Sequence, residues 1–293
     1  MNTDYAIIGG DLRIVKLARM MAAEGDIIHT FGLEKAEELN KCNNIIFYNS
    51  LRSAIESANV VIAPIPFSKN GVELNTLYSN EKILIQELLD NVKYKKLIAG
   101  SIKQEIYDIA EVNHIQIFDI MKSEDVAILN AISTAEGAIE LIFSNTQKTL
   151  HGSNVLILGF GRLGKVLAKK LYGLSAKVTC AVRKNEDFAW IKAYGYEYTN
   201  INNLSENLIN YDIIINTVPA LILNILRLQK LRKNCLLIDL ASNPGGIDFE
   251  GAKELGIKCI WALALPGKVA PVTTAEIIRD SIYNIVKSGT IHN

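Results

Sequence analysis

The fold is decided by the stretch VLILGFGRLG, residues 155–164, in which the apolar run Val155–Leu158 leads directly into the glycine-rich segment Gly159–Gly164. An apolar strand followed by G-x-G-x-x-G and a helix is typical of a dinucleotide-binding Rossmann unit. The first glycine allows a sharp turn, the second lets the backbone approach a pyrophosphate, and the third lets helix and strand pack closely. We therefore predict a dinucleotide site here rather than a tight turn without a ligand.

The strand after this turn indicates which dinucleotide is preferred. An NAD site usually carries an acidic side chain about 20 residues beyond the motif, where it bonds the ribose 2′-hydroxyl. Here that position falls near Ala181 and Val182, and two cations, Arg183 and Lys184, follow. Because a guanidinium suits a phosphate group, we predict NADP, with NAD as the alternative. The other interpretation of the two cations is a solvated pair at the start of a helix.

Short apolar runs alternate with segments of helical period along the whole chain. Those of strand length lie at 5–8, 27–30, 45–47, 60–63, 97–100, 115–118, 155–158, 177–182, 196–198, 212–216, 235–240 and 258–261. Such alternation predicts an α/β fold with two Rossmann-like domains, mostly parallel sheets and a cleft between the domains. We predict a substrate domain at 1–130, a connecting helix and linker at 131–152, an NAD(P)-binding domain at 153–271 and a C-terminal helix at 272–293 that returns to the first domain.

Three helix predictions are specific enough to be checked. A helix over 125–143 is expected to break near Ser133, and another is expected over 220–229. The last helix is expected to begin at Thr273, with Thr273 and Glu276 as its capping box.

The composition is that of an ordinary globular protein of 293 residues, with 31 basic and 31 acidic side chains. The absence of a basic excess argues against nucleic-acid and membrane-surface binding. No secretory signal is recognisable and the four cysteines are scattered, so we expect a cytoplasmic protein with reduced thiols. No cluster has metal-ligand spacing, so we expect no metal. Near-zero net charge is compatible with a homo-oligomer.

Two further segments follow predicted strands of the second domain, namely Asn216–Pro219 and the run that begins at Asp239. Ligands of parallel sheets bind at the carboxyl ends of strands, so these segments are expected to line the cofactor site. Asp239 either orients a ligand or caps the following loop. The residues predicted to bind the cofactor are Gly159, Phe160, Gly161, Arg162, Leu163, Gly164, Arg183, Lys184, Asn216, Thr217, Val218, Pro219, Asp239 and Ser242.

Segments spread over nearly the whole chain resemble, in order and spacing, the family of dipicolinate synthase A subunits. They are Ile8–Asp11 with Arg13, Ser133–Gly137, His151–Ser153, Gly159–Gly164, Asn216–Pro219, Asp239–Gly246 with Asp248 and Phe249, Leu265–Gly267 and Val269–Pro271. Ser133 stands where the family often has proline, and the cation after the second Rossmann strand is shifted by one place.

The resemblance implies an NADP-dependent oxidoreductase subunit of the CH–CH donor type. It would form dipicolinate, pyridine-2,6-dicarboxylate, from a dihydrodipicolinate-level intermediate of the lysine (diaminopimelate) pathway during sporulation. It would act in the cytoplasm of the mother cell of a spore-forming bacterium, together with the flavoprotein-like B subunit of dipicolinate synthase.

A dicarboxylate substrate needs cations, hydroxyls or free backbone N–H groups. In the first domain, Gly10 and Arg13 are the first choice for a carboxylate anchor, and Ser101 at another strand end is a further candidate. The alternative is an ordinary strand–helix turn at Gly10 with a solvated Arg13.

The other candidate cluster is expected at the start of the helix that joins the domains. There Ser133 is predicted to bind substrate, while Thr134 and Glu136 are the predicted catalytic pair, with Glu136 as acid or base. The alternative is that a hydroxyl caps the helix and Glu136 stabilises its N-terminus.

Two other functions stay open. The run Pro66–Lys69 resembles a loop of shikimate dehydrogenases, in which Lys69 would be the base. A non-catalytic NADP-binding partner or sensor protein is also compatible with the sequence. A hydroxyacid dehydrogenase is less expected, because no histidine lies between Asp239 and Pro271.

Overall fold

The structure is a computed structural model that describes residues 3–288. The chain divides into two compact units. One contains the residues up to Asn130 together with those from Ala270 onward, and the other is Ala131–Val269. Each unit contains one six-stranded sheet, and all strand pairs in both sheets are parallel. The predicted α/β class with two Rossmann-like units is therefore confirmed.

The sheet of the first unit has the order β3-β2-β1-β4-β5-β6, which is the doubly wound arrangement. Its strands are β1 (Asp4–Ile8), β2 (Ile27–Phe31), β3 (Ile45–Phe47), β4 (Val60–Ile62), β5 (Lys96–Ala99) and β6 (Gln116–Asp119). The helices that cover it include α1 (Leu12–Ala23), α2 (Leu51–Glu56), α3 (Ile85–Asn91) and α4 (Gln104–Val112). Apolar side chains pack on both faces of the sheet, as continuous apolar strands require.

A single helix, α5 (Glu124–Asn145), runs without interruption through Ser133. The predicted break at Ser133 is therefore wrong, because serine is only mildly unfavourable inside a helix and this one is 2% exposed. By length and composition α5 is apolar enough to cross a membrane, which alone is weak evidence for a span. Its Ala135, Ala138 and Ile142 are buried in the core of the second unit.

The second sheet has the order β12-β11-β10-β7-β8-β9. Its strands are β7 (Asn154–Leu158), β8 (Lys177–Val182), β9 (Glu197–Asn200), β10 (Ile213–Asn216), β11 (Leu236–Asp239) and β12 (Cys259–Trp261). The helices are α6 (Arg162–Gly173), α7 (Asn185–Ala193), α8 (Ile225–Leu228), α9 (Phe249–Glu254) and α10 (Leu265–Val269). Each strand of the two sheets overlaps a predicted apolar run.

Helix α8 is much shorter than the helix predicted over 220–229. The backbone N–H groups of Ile222 and Leu223 donate to the carbonyl of Gly246, which holds this segment out of a helix. Asn224 then caps α8, since its side chain accepts a hydrogen bond of 3.1 Å from the N–H of Arg227.

The last helix, α11 (Pro271–Ser288), belongs to the first unit and packs against α1, which confirms its predicted return. It begins two residues before the predicted start, and the Thr274 hydroxyl donates back to the carbonyl of Ala270 at 2.8 Å. The predicted capping box is therefore wrong: proline starts the helix, as its fixed φ allows. Tyr283 fastens the helix by donating to Asp26 at 2.6 Å.

Candidate functional site

The glycine-rich loop lies between β7 and α6, as its sequence predicts. Gly159 has a φ of +97°, and a Cβ there would lie 2.6 Å from Oγ1 of Thr217. A Cβ on Gly164 would lie 2.4 Å from the carbonyl oxygen of Gly159, so helix and strand approach each other too closely for a side chain. These two glycines are required by the turn itself.

Gly161 has a different surrounding. A Cβ built on it would meet no atom within 4 Å, and its φ is −72°. Gly161 is the N-cap of α6 and provides no side chain to bond the first N–H groups of the helix. Open space in front of the first N–H groups of a helix, at the positive end of its dipole, is what the pyrophosphate of a dinucleotide needs. The loop therefore fits the cofactor that its sequence predicts.

The non-glycine side chains of the loop differ in burial. Phe160 is buried in the core of the second unit, Leu163 packs at its margin, and Arg162 is exposed. Only the backbone of Phe160 is thus available to a ligand. The Thr217 hydroxyl donates to the carbonyl of Leu158 at 2.8 Å, which ties the end of β10 to the start of the loop.

The two predicted phosphate cations follow β8 and are both exposed. Lys184 is the N-cap of α7 and its Nζ lies 3.4 Å from a carboxylate oxygen of Glu186. Arg183 forms no ion pair within residues 3–288. Arg183 is therefore the freer of the two to meet a 2′-phosphate.

The most tightly organised part of the site joins the ends of β10 and β11. Asn216 and Asp239 are both fully buried, and Nδ2 of Asn216 donates to Oδ1 of Asp239 at 2.8 Å. The same Asn216 amide also bonds both the N–H and the carbonyl of Val218. Asp239 accepts further bonds from the N–H of Ala241 at 3.0 Å and of Gly246 at 2.7 Å.

Every polar atom of the two side chains is thereby hydrogen-bonded within the protein. Asp239 was expected either to orient a ligand or to cap the following loop. Its bonds to the N–H groups of Ala241 and Gly246 favour the second interpretation. Pro219 and Ser242 are exposed at the ends of the same two segments, where they are accessible to a ligand.

The candidate substrate residues of the first unit lie at strand ends. Gly10 has a φ of +125° at the end of β1. The guanidinium of Arg13 is 2.6 Å from a carboxylate oxygen of Asp11 and also donates to the carbonyl of Ile65. Arg13 is 7% exposed, so the alternative interpretation of a solvated Arg13 is wrong.

Ser101 has a φ of +60°, and its N–H donates to Oδ1 of Asp119 at 3.0 Å. Asp119 also accepts from the N–H groups of Ile102 and Met121. Sequence reasoning missed Asp119, although an acid at the end of a predicted strand is a signal that finds it. The exposed hydroxyl of Ser101 is thus presented on a fixed loop.

The catalytic cluster on α5 differs from its prediction in position. Ser133, Thr134 and Glu136 lie in the interior of α5, nine or more residues after its first residue Glu124, so the prediction that they begin the helix is wrong. Ser133 is buried, Thr134 is half-buried and Glu136 is exposed. Oε1 of Glu136 is 2.7 Å from Nζ of Lys170, so a cation neutralises the predicted acid or base.

In three of the four cysteines, burial disfavours the thiolate form that acts as a nucleophile. Burial raises the pKa of Cys180 and of Cys235 to about 12. Burial, with a smaller contribution from Asp239, raises the pKa of Cys259 to about 12 as well. In the part of the chain that the structure describes, no group of three or more potential ligands could hold a metal ion.

Comparisons with known proteins agree with this geometry. Residues 4–121 match the family model of the N-terminal domain of the dipicolinate synthase A subunit. Residues 130–243 match that of the NAD-binding domain of D-isomer-specific 2-hydroxyacid dehydrogenases. The fold and the glycine loop therefore define an oxidoreductase of the two-domain class with a nicotinamide cofactor.

Whole-chain relatives give the family. The A subunit of dipicolinate synthase from Bacillus subtilis is 31% identical over 283 residues, which are 96% of this chain and 95% of that protein. The chain belongs to the family of dipicolinate synthase A subunits. The crystal structure of the same subunit from Bacillus halodurans superimposes with a TM-score of 0.89 at 29% identity, over 97% of each chain. A transhydrogenase from Sinorhizobium meliloti shares the fold, with a TM-score of 0.71 at 13% identity over 97% of this chain and 94% of that one.

Proposed function

We propose that this chain is the NADP-dependent subunit of an enzyme that oxidises a dihydrodipicolinate-level intermediate to dipicolinate. The observation that carries the proposal is the family membership of a chain whose glycine loop has open space in front of the first turn of α6. The substrate would be supplied by the lysine pathway, and the product would serve sporulation in the cytoplasm of the mother cell. The partner would be the flavoprotein-like B subunit of dipicolinate synthase.

The preference for NADP rests on the surface after β8. Arg183 and Lys184 are exposed there, and no acidic residue stands at Ala181 or Val182, which are buried. A 2′-phosphate would gain charge-assisted hydrogen bonds from Arg183, whereas a 2′-hydroxyl would find no carboxylate at these positions. The bound nicotinamide supplies the hydride acceptor for the oxidation. The chain's own residues hold the phosphates, orient the ring and exclude water.

The substrate carboxylates require donors from the remaining candidates. Gly10 would contribute backbone, Ser101 its exposed hydroxyl, and Ser133 and Thr134 their hydroxyls. We assign Arg13 a positioning role beside Gly10, because its guanidinium already bonds the Asp11 carboxylate and the Ile65 carbonyl. Glu136 and Thr134 stay the proposed acid–base pair. Before Glu136 can transfer a proton, its carboxylate must leave its ion pair with Lys170.

The proposal is tested by assaying the purified chain, by itself and with its partner subunit. A freshly generated dihydrodipicolinate-level intermediate is supplied with NADP, and both NADPH absorbance and the ultraviolet bands of dipicolinate are followed. We expect NADPH and dipicolinate to appear in equal amounts. Oxidation of shikimate in place of this substrate would overturn the proposal.

A second candidate is a nucleotide-binding protein that performs no chemistry itself. It is favoured by one observation, namely that the two charged groups predicted for the reaction, Arg13 and Glu136, are both engaged by opposite charges within their own units. In the same assay, tight NADPH binding without product, with or without the partner, would select this alternative.

A further inference from the structure

The second unit contains a cavity at the edge of the sheet opposite the glycine loop. Its volume is about 450 Å³, within the range of small-molecule sites. Ile213 and Leu236, the first residues of β10 and β11, line it together with the thiol of Cys235, and all three are buried. Ile213 lines the cavity and Asn216 lies three residues further along β10, so about 10 Å of extended chain separates the two ends of that strand. The cavity is therefore distinct from the predicted cofactor site.

The rim of this cavity is cationic although the chain as a whole has a net charge of +0. Lys148, Lys233 and Lys258 are exposed along it, and Asp212 is the one acidic residue among those that line it. Lys233 and Lys258 form no ion pair within residues 3–288. The rim thus carries two cations whose charge the surrounding protein does not balance.

The carboxylate of Asp212 already has partners on both of its oxygens. Oδ1 of Asp212 lies 3.7 Å from Nζ of Lys148 and 3.4 Å from a guanidinium nitrogen of Arg232, while Oδ2 accepts the N–H of Asn154 at 3.0 Å. Both oxygens of Asp212 are therefore engaged, and a bound anion would supply the opposite charge that Lys233 and Lys258 lack.

We propose that this cavity is a second ligand site, which binds a small organic dianion with a flat apolar body. The apolar floor of Ile213 and Leu236 would take the body, and the lysines of the rim would take the two carboxylates. An aromatic dicarboxylate has this chemistry. The site does not depend on the proposed function, because none of its residues belongs to the cofactor or substrate candidates.

The test is calorimetric titration of the full chain with isophthalate, an aromatic dicarboxylate, at low and moderate salt. The variant is K233Q/K258Q, which removes the two unbalanced charges without touching Asp212. The matched control is K169Q/K192Q, because these two lysines are exposed on other helices of the same unit. We expect saturable binding whose dissociation constant rises about tenfold or more in the first variant and stays unchanged in the control.

Isophthalate binding that is equal in both variants, or no saturable binding at all, would overturn the proposal. Pyrophosphate is the second probe, because it carries charge without an apolar body. Binding of pyrophosphate as tight as that of isophthalate would overturn the assigned ligand class. Heat of isophthalate binding that persists in K233Q/K258Q indicates a dicarboxylate site elsewhere in the chain. The result for this cavity is therefore independent of the result of the activity assay. Unchanged thermal unfolding of both variants establishes that they are folded.

Discussion

Nδ2 of Asn216 donates to Oδ1 of Asp239 at 2.8 Å, and this bond joins the carboxyl ends of two adjacent strands. Both side chains are fully buried, so their hydrogen-bond partners are protein groups in place of the water that would bond them in the unfolded chain. The pair holds the backbone at Val218 and Gly246 in place. It thereby shapes two of the segments expected to line the cofactor site.

Asp239→Asn should destabilise the protein. The asparagine amide has one oxygen and one NH₂ group in place of the two carboxylate oxygens. In one orientation the NH₂ group faces the N–H of Gly246, and in the other it faces the N–H of Ala241 and Nδ2 of Asn216. A buried donor without an acceptor costs about 1–3 kcal/mol, more where a charged group was removed. Urea denaturation measures the loss. Ser242→Ala, at an exposed position of the same loop, should stay within about 0.5 kcal/mol of the wild type, and a similar loss in both would contradict the assignment.

Gly161→Ala and Gly164→Ala should separate binding from folding. A methyl group on Gly161 enters open space, so stability should change little while NADP binding weakens about tenfold, because the methyl occupies the approach of the pyrophosphate. A methyl group on Gly164 collides with the Gly159 carbonyl and should lower the melting temperature. Fluorescence titration and thermal unfolding distinguish the two. Undiminished NADP affinity in Gly161→Ala would exclude this loop as the pyrophosphate site.

Arg183→Ala should weaken NADP binding more than NAD binding. A lost charge-assisted contact with the 2′-phosphate costs about 1.5–3 kcal/mol, which is at least about tenfold in the dissociation constant of NADP. Lys184→Ala should have a smaller effect, since Lys184 already pairs with Glu186. Lys192→Ala, at an exposed position of α7, is the control. The two dissociation constants are measured for each variant, and an equal loss for both cofactors would refute the predicted preference.

Glu34 should contribute a pH-dependent part of the stability. Partial burial raises its pKa, but hydrogen bonds from the N–H of Asn80 and the hydroxyl of Ser79 outweigh this and lower the pKa. A lowered folded pKa gives stability that is present above the ordinary glutamate value of about 4.3 and is lost as the pH falls through the folded pKa.

The stability difference between wild type and Glu34→Gln should therefore be largest near neutral pH and shrink in acid. Urea denaturation at several pH values measures it. Glu37→Gln, at an exposed position three residues away, is the matched control. A difference that grows in acid would reverse the assigned sign.

Local patterns were sufficient for much of the fold. The apolar runs located the strands because a strand buried on both faces must be apolar throughout. The glycine loop was recognisable because a side chain at Gly159 or Gly164 would collide with nearby atoms of the loop or of the neighbouring strand end. The need for glycine is therefore visible in the local sequence.

What could not be predicted depends on residues distant in sequence. The segment before α8 is kept from forming a helix by the carbonyl of Gly246, and no local pattern shows that bond. The engagement of Glu136 depends on Lys170, 34 residues away. The occupation of Arg13 depends partly on the backbone of Ile65, 52 residues away. Sequence reasoning thus found residues with the right chemistry but not which of them are already engaged.

Helix α11 has a consequence for the order in which the chain is made. Residues 131–269 form one unit from contiguous sequence, whereas the first unit draws on both ends of the chain. As the polypeptide leaves the ribosome, Ile278, Ile282 and Ile285 of α11 emerge only after residues 131–269, yet they belong to the same core as β1 and α1. The part of the protein that is synthesised second can therefore be completed first. The part that is synthesised first waits, with one side of its core uncovered, until α11 has been translated.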